Sequence, residues 1–213
     1  MLKNSVLLCF LCAAGIVFFS AAQASSDPRQ CVLAAGEAID GADAVAFERA
    51  VDLDSLLEQA LDVFLRKAQQ PGVAEKLPPM LAILFAQSAR SDETGTSIRA
   101  LLRKEARAFV VNGIASGAFA GKKPTGQAAQ GLLAPLFADA STGRKEIRQV
   151  GTARADAKGW LVPFVLYDWG NGQSYEIVGR IVKKNDALQL VSLANMDALV
   201  QLILEEGMTA TTL

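Results

Sequence analysis

The spacing of the apolar residues changes near residue 140, and this change limits the fold more than any other feature. Before it, apolar residues recur three and four positions apart, as on one face of a helix; after it, they alternate with polar residues. Helices followed by strands predict an α+β fold, because a doubly wound fold would alternate the two. We expect a single domain over 25–207, in which N-terminal helices pack on a C-terminal antiparallel sheet of about four strands. Its parts are a helical part at 28–138, a sheet part at 142–194, a closing helix at 195–206 and a following tail at 208–213.

The clearest predicted helix spans residues 53–67, where seven apolar residues form one stripe. Asp52 is placed to cap its first turn, and Arg66 and Lys67 complement the dipole at its end. Further helices are predicted at 30–39, at 43–51, after Pro78-Pro79, at 96–120 and at 127–138.

The long predicted helix carries three glycines at intervals of four, Gly113, Gly117 and Gly121. Small residues at this spacing let another element approach the backbone closely, and a segment of this length is too short to cross a membrane. We therefore expect the second half of this helix to pack closely against the sheet.

A strong turn signal, Gly170-Asn171-Gly172, joins the two middle strands. With Asn171-Gly172 as a type I′ turn, residues whose numbers sum to 343 face each other, and Phe164 lies over Gly179. One face of this hairpin is then nearly all apolar, and the other is mixed, so we expect it to be partly covered or to line a groove. The strands are expected at 146–153, 160–169, 174–183 and 188–193.

Residues 1–24 have the three parts of a secretory signal peptide: Lys3, an apolar run at 5–19, and Ala22-Gln23-Ala24 as an A-x-A cleavage pattern. The sequence thus predicts a periplasmic or secreted protein that meets the membrane only during export. An uncleaved membrane anchor is the alternative, because the run approaches the length of a membrane span.

Composition excludes several classes of function. The sequence has no histidine, which removes Ser-His-Asp and Cys-His hydrolases and most zinc sites, and no motif for a cofactor or metal stands out. Without the leader, which holds only Lys3 among the charged residues, 20 basic residues face 22 acidic ones. This near-neutrality gives no reason to expect nucleic acid as a partner.

Cys31 is the one cysteine that remains after cleavage, so the mature chain forms no intramolecular disulfide. In an oxidising compartment a single thiol is either buried and inert or available to pair with another protein. Its apolar neighbours, Val32 to Ala35, favour burial.

Both tryptophans and both tyrosines lie near the predicted hairpin. They could form the aromatic wall of a pocket for an apolar or amphipathic ligand, and the alternative is that they fill the core. The candidate ligand-binding residues are Trp160, Phe164, Tyr167, Trp169 and Tyr175.

Two groups of charged residues are candidates for other functions. Asp168 and Glu176 are expected on opposite faces of the sheet, which argues against a glycosidase. A stripe of arginines could contact an anion, a membrane surface or a partner protein, or it could be a solvated helix face; its members are Arg99, Arg103 and Arg107. An acidic line of Asp54, Glu58 and Asp62 has no calcium-loop pattern.

Residues 38–53, with Ala38-Ile39 followed by Asp43, and with Phe47 followed by Val51-Asp52-Leu53, resemble the start of small exported bacterial proteins of unknown function. The order of helices, curved strands and closing helix is similar to NTF2-like domains, which include periplasmic phospholipid carriers. The resemblance implies a binding domain with a cavity between helices and sheet, and it carries over no catalytic residue.

The sequence therefore predicts an exported, non-catalytic domain that binds a small apolar or amphipathic ligand, for example a lipid-like one. Two alternatives stay open at this point: an interaction component of an envelope complex, and an enzyme that works without histidine through Asp, Glu, Lys or Tyr.

Overall fold

Helices precede a curled antiparallel sheet, and a last helix follows it. The computed structural model describes residues 27–70, 73, 79–90, 92–123 and 143–210. The α+β class predicted from the sequence is confirmed. The helices are α1 (Pro28–Gly41), α2 (Ala44–Ala50), α3 (Leu53–Ala68), α4 (Pro79–Ser88), α5 (Glu93–Ala115) and α6 (Met196–Ala210), and the strands are β1 (Lys145–Arg148), β2 (Arg154–Asp156), β3 (Gly159–Asp168), β4 (Gln173–Lys184) and β5 (Ala187–Leu193).

Aspartate side chains fix where four of the helices begin. Each carboxylate accepts a hydrogen bond from a backbone N–H of the first turn, which would otherwise lack a partner. The cap predicted at Asp52 is confirmed, since its carboxylate accepts from the Ser55 N–H at 3.2 Å. The four caps are Asp27 on α1, Asp43 on α2, Asp52 on α3 and Asp92 on α5.

The strands run in the order β1-β3-β4-β5, and β2 pairs with the part of β3 that β1 leaves free. In the central hairpin Trp160 faces Ile181 and Asp168 faces Gln173, so the predicted register is wrong by two residues. A shift of two keeps every side chain on its predicted face. Phe164 consequently faces Ile177 and reaches Gly179 along the diagonal.

The register differs because the turn has four residues, 169–172, and not two. Gly172 has a positive φ of 72°, but Asn171 does not, so the type I′ turn is absent there. A type I′ turn needs two consecutive residues with positive φ. Such a pair occurs instead in the next hairpin, at Asn185 (48°) and Asp186 (63°) between β4 and β5. That pair is the two-residue type I′ turn of the sheet.

The apolar face of the hairpin packs against α1 and α2, and we call it the inner face. Val162 and Ile181 are fully buried there, together with Val32 of α1 and Val51 after α2. Each such side chain contributes about 1.5–3 kcal/mol by leaving water. The predicted packing of helices on one face of the sheet is therefore confirmed for the described residues.

The free edge of β5 is covered by the chain around α3. The Asp52 N–H donates to the Leu190 carbonyl at 2.9 Å. The Gln59 amide takes both roles of a neighbouring strand at Leu193, donating to its carbonyl at 2.8 Å and accepting from its N–H at 2.9 Å. These bonds occupy edge groups of β5 that would otherwise be available to pair with another chain.

The second half of the predicted helix 96–120 is corrected by the structure. Helix α5 ends at Ala115, because Gly117 adopts a left-handed conformation with φ of 76° and a short 3₁₀ turn follows at Ala118–Ala120. The close approach at Gly113 is made by the Phe119 ring and not by the sheet. Small residues thus let the chain fold back on its own helix.

Two ends of the sheet part also differ from expectation. Strand β1 stops at Arg148, where Gln149 has a φ of 51°, and the chain forms the separate strand β2 that the sequence did not reveal. Helix α6 continues through Gly207 to Ala210, so the predicted end at residue 206 is wrong. Glycine inside a helix costs only about 1 kcal/mol, which the helix tolerates here. The predicted helix at 127–138 and residues 211–213 lie outside the described residues.

Asn195 directly precedes α6, where a capping residue would stand, but its side chain binds the sheet. Its Oδ1 accepts from the Val178 N–H at 2.9 Å, and its Nδ2 donates to the Glu176 carbonyl at 2.7 Å. The Asn195 amide therefore extends the pairing of β4 beyond the end of β5 and ties α6 to the sheet.

Candidate functional site

The five predicted aromatic residues are divided between the two faces of the sheet. Phe164 and Tyr175 are buried in the core on the inner face, and Trp160 packs against the same core. Tyr167 and Trp169 lie on the opposite face, which we call the outer face. Trp169 is 53% exposed, whereas Tyr167 is half-buried. The five side chains therefore do not form one wall.

Strand β1 supplies two charged side chains beside the outer aromatic pair. Glu146 faces Tyr167 directly, and Arg148 lies one pleat further along the same face, opposite Val165. The Arg148 guanidinium carbon is 4.1 Å from the Tyr167 ring centroid and 5.3 Å from that of Trp169. We call Glu146, Arg148, Tyr167 and Trp169 the outer-face platform.

Hydrogen bonds and ring contacts fix the geometry of the outer-face platform. The Glu146 carboxylate accepts from Arg148 at 2.7 Å and from the Trp169 indole N–H at 3.0 Å. The two rings meet edge to face, with centroids 5.0 Å apart. Edge-to-face contacts and a cation over a ring are both favourable, so Trp169 is held in place although it is exposed.

The electrostatics of the platform follow from the same contacts. The Arg148 hydrogen bond, helped by the one from Trp169, lowers the pKa of Glu146 to about 2. The bond to Glu146 in turn raises the pKa of Arg148 above its ordinary value. Glu146 is therefore almost fully ionised at neutral and mildly acidic pH, and it keeps its acceptor for the indole there.

We expect the fluorescence of Trp169 to report this titration. Because the folded pKa of Glu146 is depressed, the platform is intact from neutral pH to about pH 4 and changes as the pH falls through about 2. Arg148→Gln removes the largest cause of the lowered Glu146 pKa. In this variant the midpoint of the Trp169 fluorescence titration should rise towards 4.5, the ordinary pKa of a glutamate side chain. The measurement is a pH titration of Trp160→Phe protein, with circular dichroism to check the fold.

The control is the reciprocal protein, Trp169→Phe, in which Trp160 is the remaining fluorophore. It should show no midpoint that moves with Arg148→Gln, because Trp160 lies on the inner face. Equal midpoints in the Trp169 signal with and without Arg148 would show that the ion pair does not control the Glu146 carboxyl.

Asp168 and Glu176 lie on opposite faces, as predicted. Asp168 is only 4% exposed and forms a buried ion pair with Lys145, whose Nζ is 2.5 Å from its Oδ1. The Gly170 N–H also donates to that oxygen at 2.8 Å. Glu176 is exposed on the outer face. The two carboxylates cannot share a substrate, so this pair does not offer acid–base catalysis.

The arginine stripe is engaged within the chain. Arg99 binds Glu58 at 2.8 Å and also binds Asp62, and Arg103 binds Glu58 at 2.9 Å. Arg107 binds Glu48 and lies 3.8 Å from Asp54. The acidic line of α3 and the basic stripe of α5 are therefore one helix–helix contact. An external anion would have to compete with these carboxylates.

Cys31 is buried, at 6% exposure, which agrees with the first of its two predicted roles. Its thiol donates to the Ala50 carbonyl at 2.9 Å. Burial raises the pKa of the Cys31 thiol to about 11, against a smaller lowering by the Leu190 backbone. A thiol of this kind is a poor nucleophile and a poor partner for disulfide exchange.

One shallow groove, with a volume of ≈ 300 Å³, lies between the first half of α1 and the end of β1. None of the candidate aromatic residues lines it. The groove is lined by Arg29, Gln30, Leu33, Ile147, Gln149 and Val150.

Within the described ranges, no three potential ligating side chains converge as a metal site, and no helix is long and apolar enough to cross a bilayer.

Comparison with known proteins does not extend this description. No protein-family model matches the sequence, and the searches of curated proteins and of solved structures find no significant match. The site is therefore described by its own residues. Sequence reasoning found Tyr167 and Trp169 but missed Glu146 and Arg148; their spacing of two within a strand was the available signal, and only the β1–β3 register places them beside the rings.

Proposed function

We propose that the protein is an exported, non-catalytic domain that binds a small amphipathic ligand on the outer-face platform. The observation that carries the proposal is Trp169, which is 53% exposed although its indole N–H is held by Glu146. An ordered, exposed aromatic side chain presents a large contact area at little entropic cost. Amphipathic ligands match it because ring faces and charged groups alternate on the platform.

The location of the site follows from how the two faces are used. Phe164 and Tyr175 are packed among Cys31, Val32 and other core residues, and they offer no free surface for a ligand. On the outer face, by contrast, aromatic and polar side chains are still exposed, so a ligand can contact them. We also propose, from the order of helices, curved strands and closing helix, that the fold is NTF2-like. The proposed ligand site differs from the one this resemblance implies, because it lies on the outer surface of the sheet and not in a cavity between helices and sheet.

Export is the second part of the proposal, and it rests on the leader at residues 1–24. We expect cleavage between Ala24 and Ser25, because the small residues of Ala22-Gln23-Ala24 fit the signal peptidase pattern. Intact-mass analysis of protein from the envelope fraction measures this directly. A mass that retains residues 1–24 would show an uncleaved anchor. The control is the double variant Ala22→Leu, Ala24→Leu, which lacks the small residues needed for cleavage and should keep residues 1–24.

The binding function is tested by native mass spectrometry of protein purified from its own cell envelope. We expect a stoichiometric adduct that survives gentle ionisation and disappears when the protein is unfolded. Protein that is bare after mild purification, with the platform intact by the Trp169 fluorescence test, would contradict a ligand-binding role.

A protein partner is a second candidate, and one observation favours it. Tryptophan, tyrosine and arginine are the residues most enriched at energetic centres of protein interfaces, and the platform holds all three. In that case cross-linking in intact cells should capture one envelope protein, and Trp169→Ala should abolish its capture. The same variant should leave the monomer folded, since Trp169 is exposed.

A further inference from the structure

We propose that the outer-face platform binds a neutral saccharide. This inference rests on the proposed ligand-binding function and names the class of ligand. It follows from three properties of the described residues: the charge balance of the platform, the hydrogen-bonding groups that remain free on it, and its extent across the sheet.

The two charges of the platform itself neutralise each other, and a further exposed carboxylate, Glu176, lies across Val165 from Arg148 on the same face. Its acid and its base, Glu146 and Arg148, are bound at 2.7 Å, with 26% and 35% of their side chains exposed. An ionic ligand would have to separate this pair or bind beside it, and the repulsion from one member would offset the attraction to the other. A neutral ligand leaves the pair intact, so charge complementarity favours it.

The free hydrogen-bonding groups match vicinal hydroxyls. Both bonds to Glu146 end on Oε2, so within the described chain Oε1 remains an available acceptor. Arg148 uses Nη2 for its bond, which leaves its other N–H groups as donors among these residues. Ser174, opposite Tyr167 on β4, adds an exposed hydroxyl. A sugar hydroxyl both donates and accepts, and it fits such a mixed set.

The aromatic surface suits the apolar side of a sugar ring. The face of an aromatic ring is electronegative and attracts polarised C–H groups. Arg148 lies over one face of the Trp169 indole, and 53% of Trp169 is exposed, so we assign the sugar to the other face. Side chains on β1, β3 and β4 form two rows across the sheet, and strand spacing makes each row roughly 10 Å long. This length accommodates a disaccharide. The rows are Glu146, Tyr167 and Ser174, and Arg148, Val165 and Glu176.

A lipid is less suited to the same surface. An acyl chain gains affinity from continuous apolar contact, whereas each row here carries charged or hydroxyl groups at its ends. A lipid adduct is therefore one of the outcomes that would overturn the saccharide assignment.

The test is a titration of the mature protein with three neutral tetrasaccharides: cellotetraose, maltotetraose and chitotetraose. In Trp160→Phe protein, at least one should change the Trp169 fluorescence in a saturable manner. Calorimetry on the wild type should give the same Kd. Trp169→Ala should raise that Kd about tenfold or more, since one aromatic contact of this kind is worth about that factor.

Two controls separate stacking on the platform from other causes. Trp160→Phe should change the Kd less than twofold, because Trp160 belongs to the inner face. The Kd should also be the same at low and high salt, since screening acts on ionic ligands and not on neutral ones.

The outcomes distinguish this inference from the proposed function. No saturable binding of any of the three sugars, together with a co-purifying lipid or other mass, would overturn the saccharide class and leave the binding function standing. No sugar binding and a bare native mass would overturn both. Sugar binding that Trp169→Ala leaves unchanged would place the ligand elsewhere and would also overturn the inference.

Discussion

Asp168→Asn is expected to destabilise the protein by about 3–5 kcal/mol, because it leaves the Lys145 ammonium buried without its counter-charge. The Lys145 and Asp168 side chains are 11% and 5% exposed, and the two residues face each other across β1 and β3. Lys145 also lies 5.6 Å from the Phe119 ring centroid, so its surroundings are apolar. Urea unfolding of the purified domain measures the change.

Two further variants make this prediction specific. Lys145→Met should cost a similar amount, and the double variant should recover part of the loss, because it removes both charges together. The matched control is Lys183→Met, which breaks an exposed pair with Asp186 and should change stability by less than about 0.5 kcal/mol. If Asp168→Asn and Lys183→Met lower the free energy of unfolding by equally small amounts, the buried pair contributes no more to stability than the exposed one, and the prediction is wrong.

Gly159→Ala is expected to cost about 2–6 kcal/mol, the sum of backbone strain and overpacking. Gly159 has a φ of 135°, which residues with a side chain rarely adopt, and an added Cβ would lie 2.3 Å from the Ile181 carbonyl oxygen. The substitution therefore forces apart the start of β3 and the facing part of β4. Thermal and urea unfolding would both show the loss.

Gly172→Ala is the control for Gly159→Ala. Gly172 also has a positive φ, 72°, but an added Cβ would meet no atom within 4 Å. Its cost should therefore be limited to the left-handed conformation, about 1–2 kcal/mol. A Gly172→Ala variant that is less stable than Gly159→Ala would contradict the close approach of β3 and β4 at Gly159.

The sequence predicts the faces of this sheet better than its register. Alternation alone places Val162, Phe164 and Ile181 inside and Tyr167 and Trp169 outside, and the structure agrees. The register depends on the turn, and the Gly-Asn-Gly signal was interpreted as two central residues where the chain uses four. The Asp168 carboxylate accepts from the Gly170 N–H and the Asp168 carbonyl accepts from the Gly172 N–H, so the turn begins at 169, two positions earlier than predicted.

The candidate site was predicted only in part for a related reason. The aromatic residues stand out by composition, but Glu146 and Arg148 are ordinary charged residues until β1 is paired with β3. The same holds for the arginine stripe, since Arg99 and Glu58 belong to helices separated by α4. Local spacing reveals which residues share a face; long-range pairing decides what that face meets.

The most direct test of the proposed binding function compares the native mass spectra of two variants purified from the cell envelope. Trp169→Ala removes the exposed indole of the outer-face platform, and Trp160→Phe alters the inner face. We expect the ligand adduct to be lost from Trp169→Ala and retained at wild-type occupancy by Trp160→Phe. An adduct that Trp169→Ala retains and Trp160→Phe loses would place the ligand between helices and sheet, and would contradict binding at the outer face.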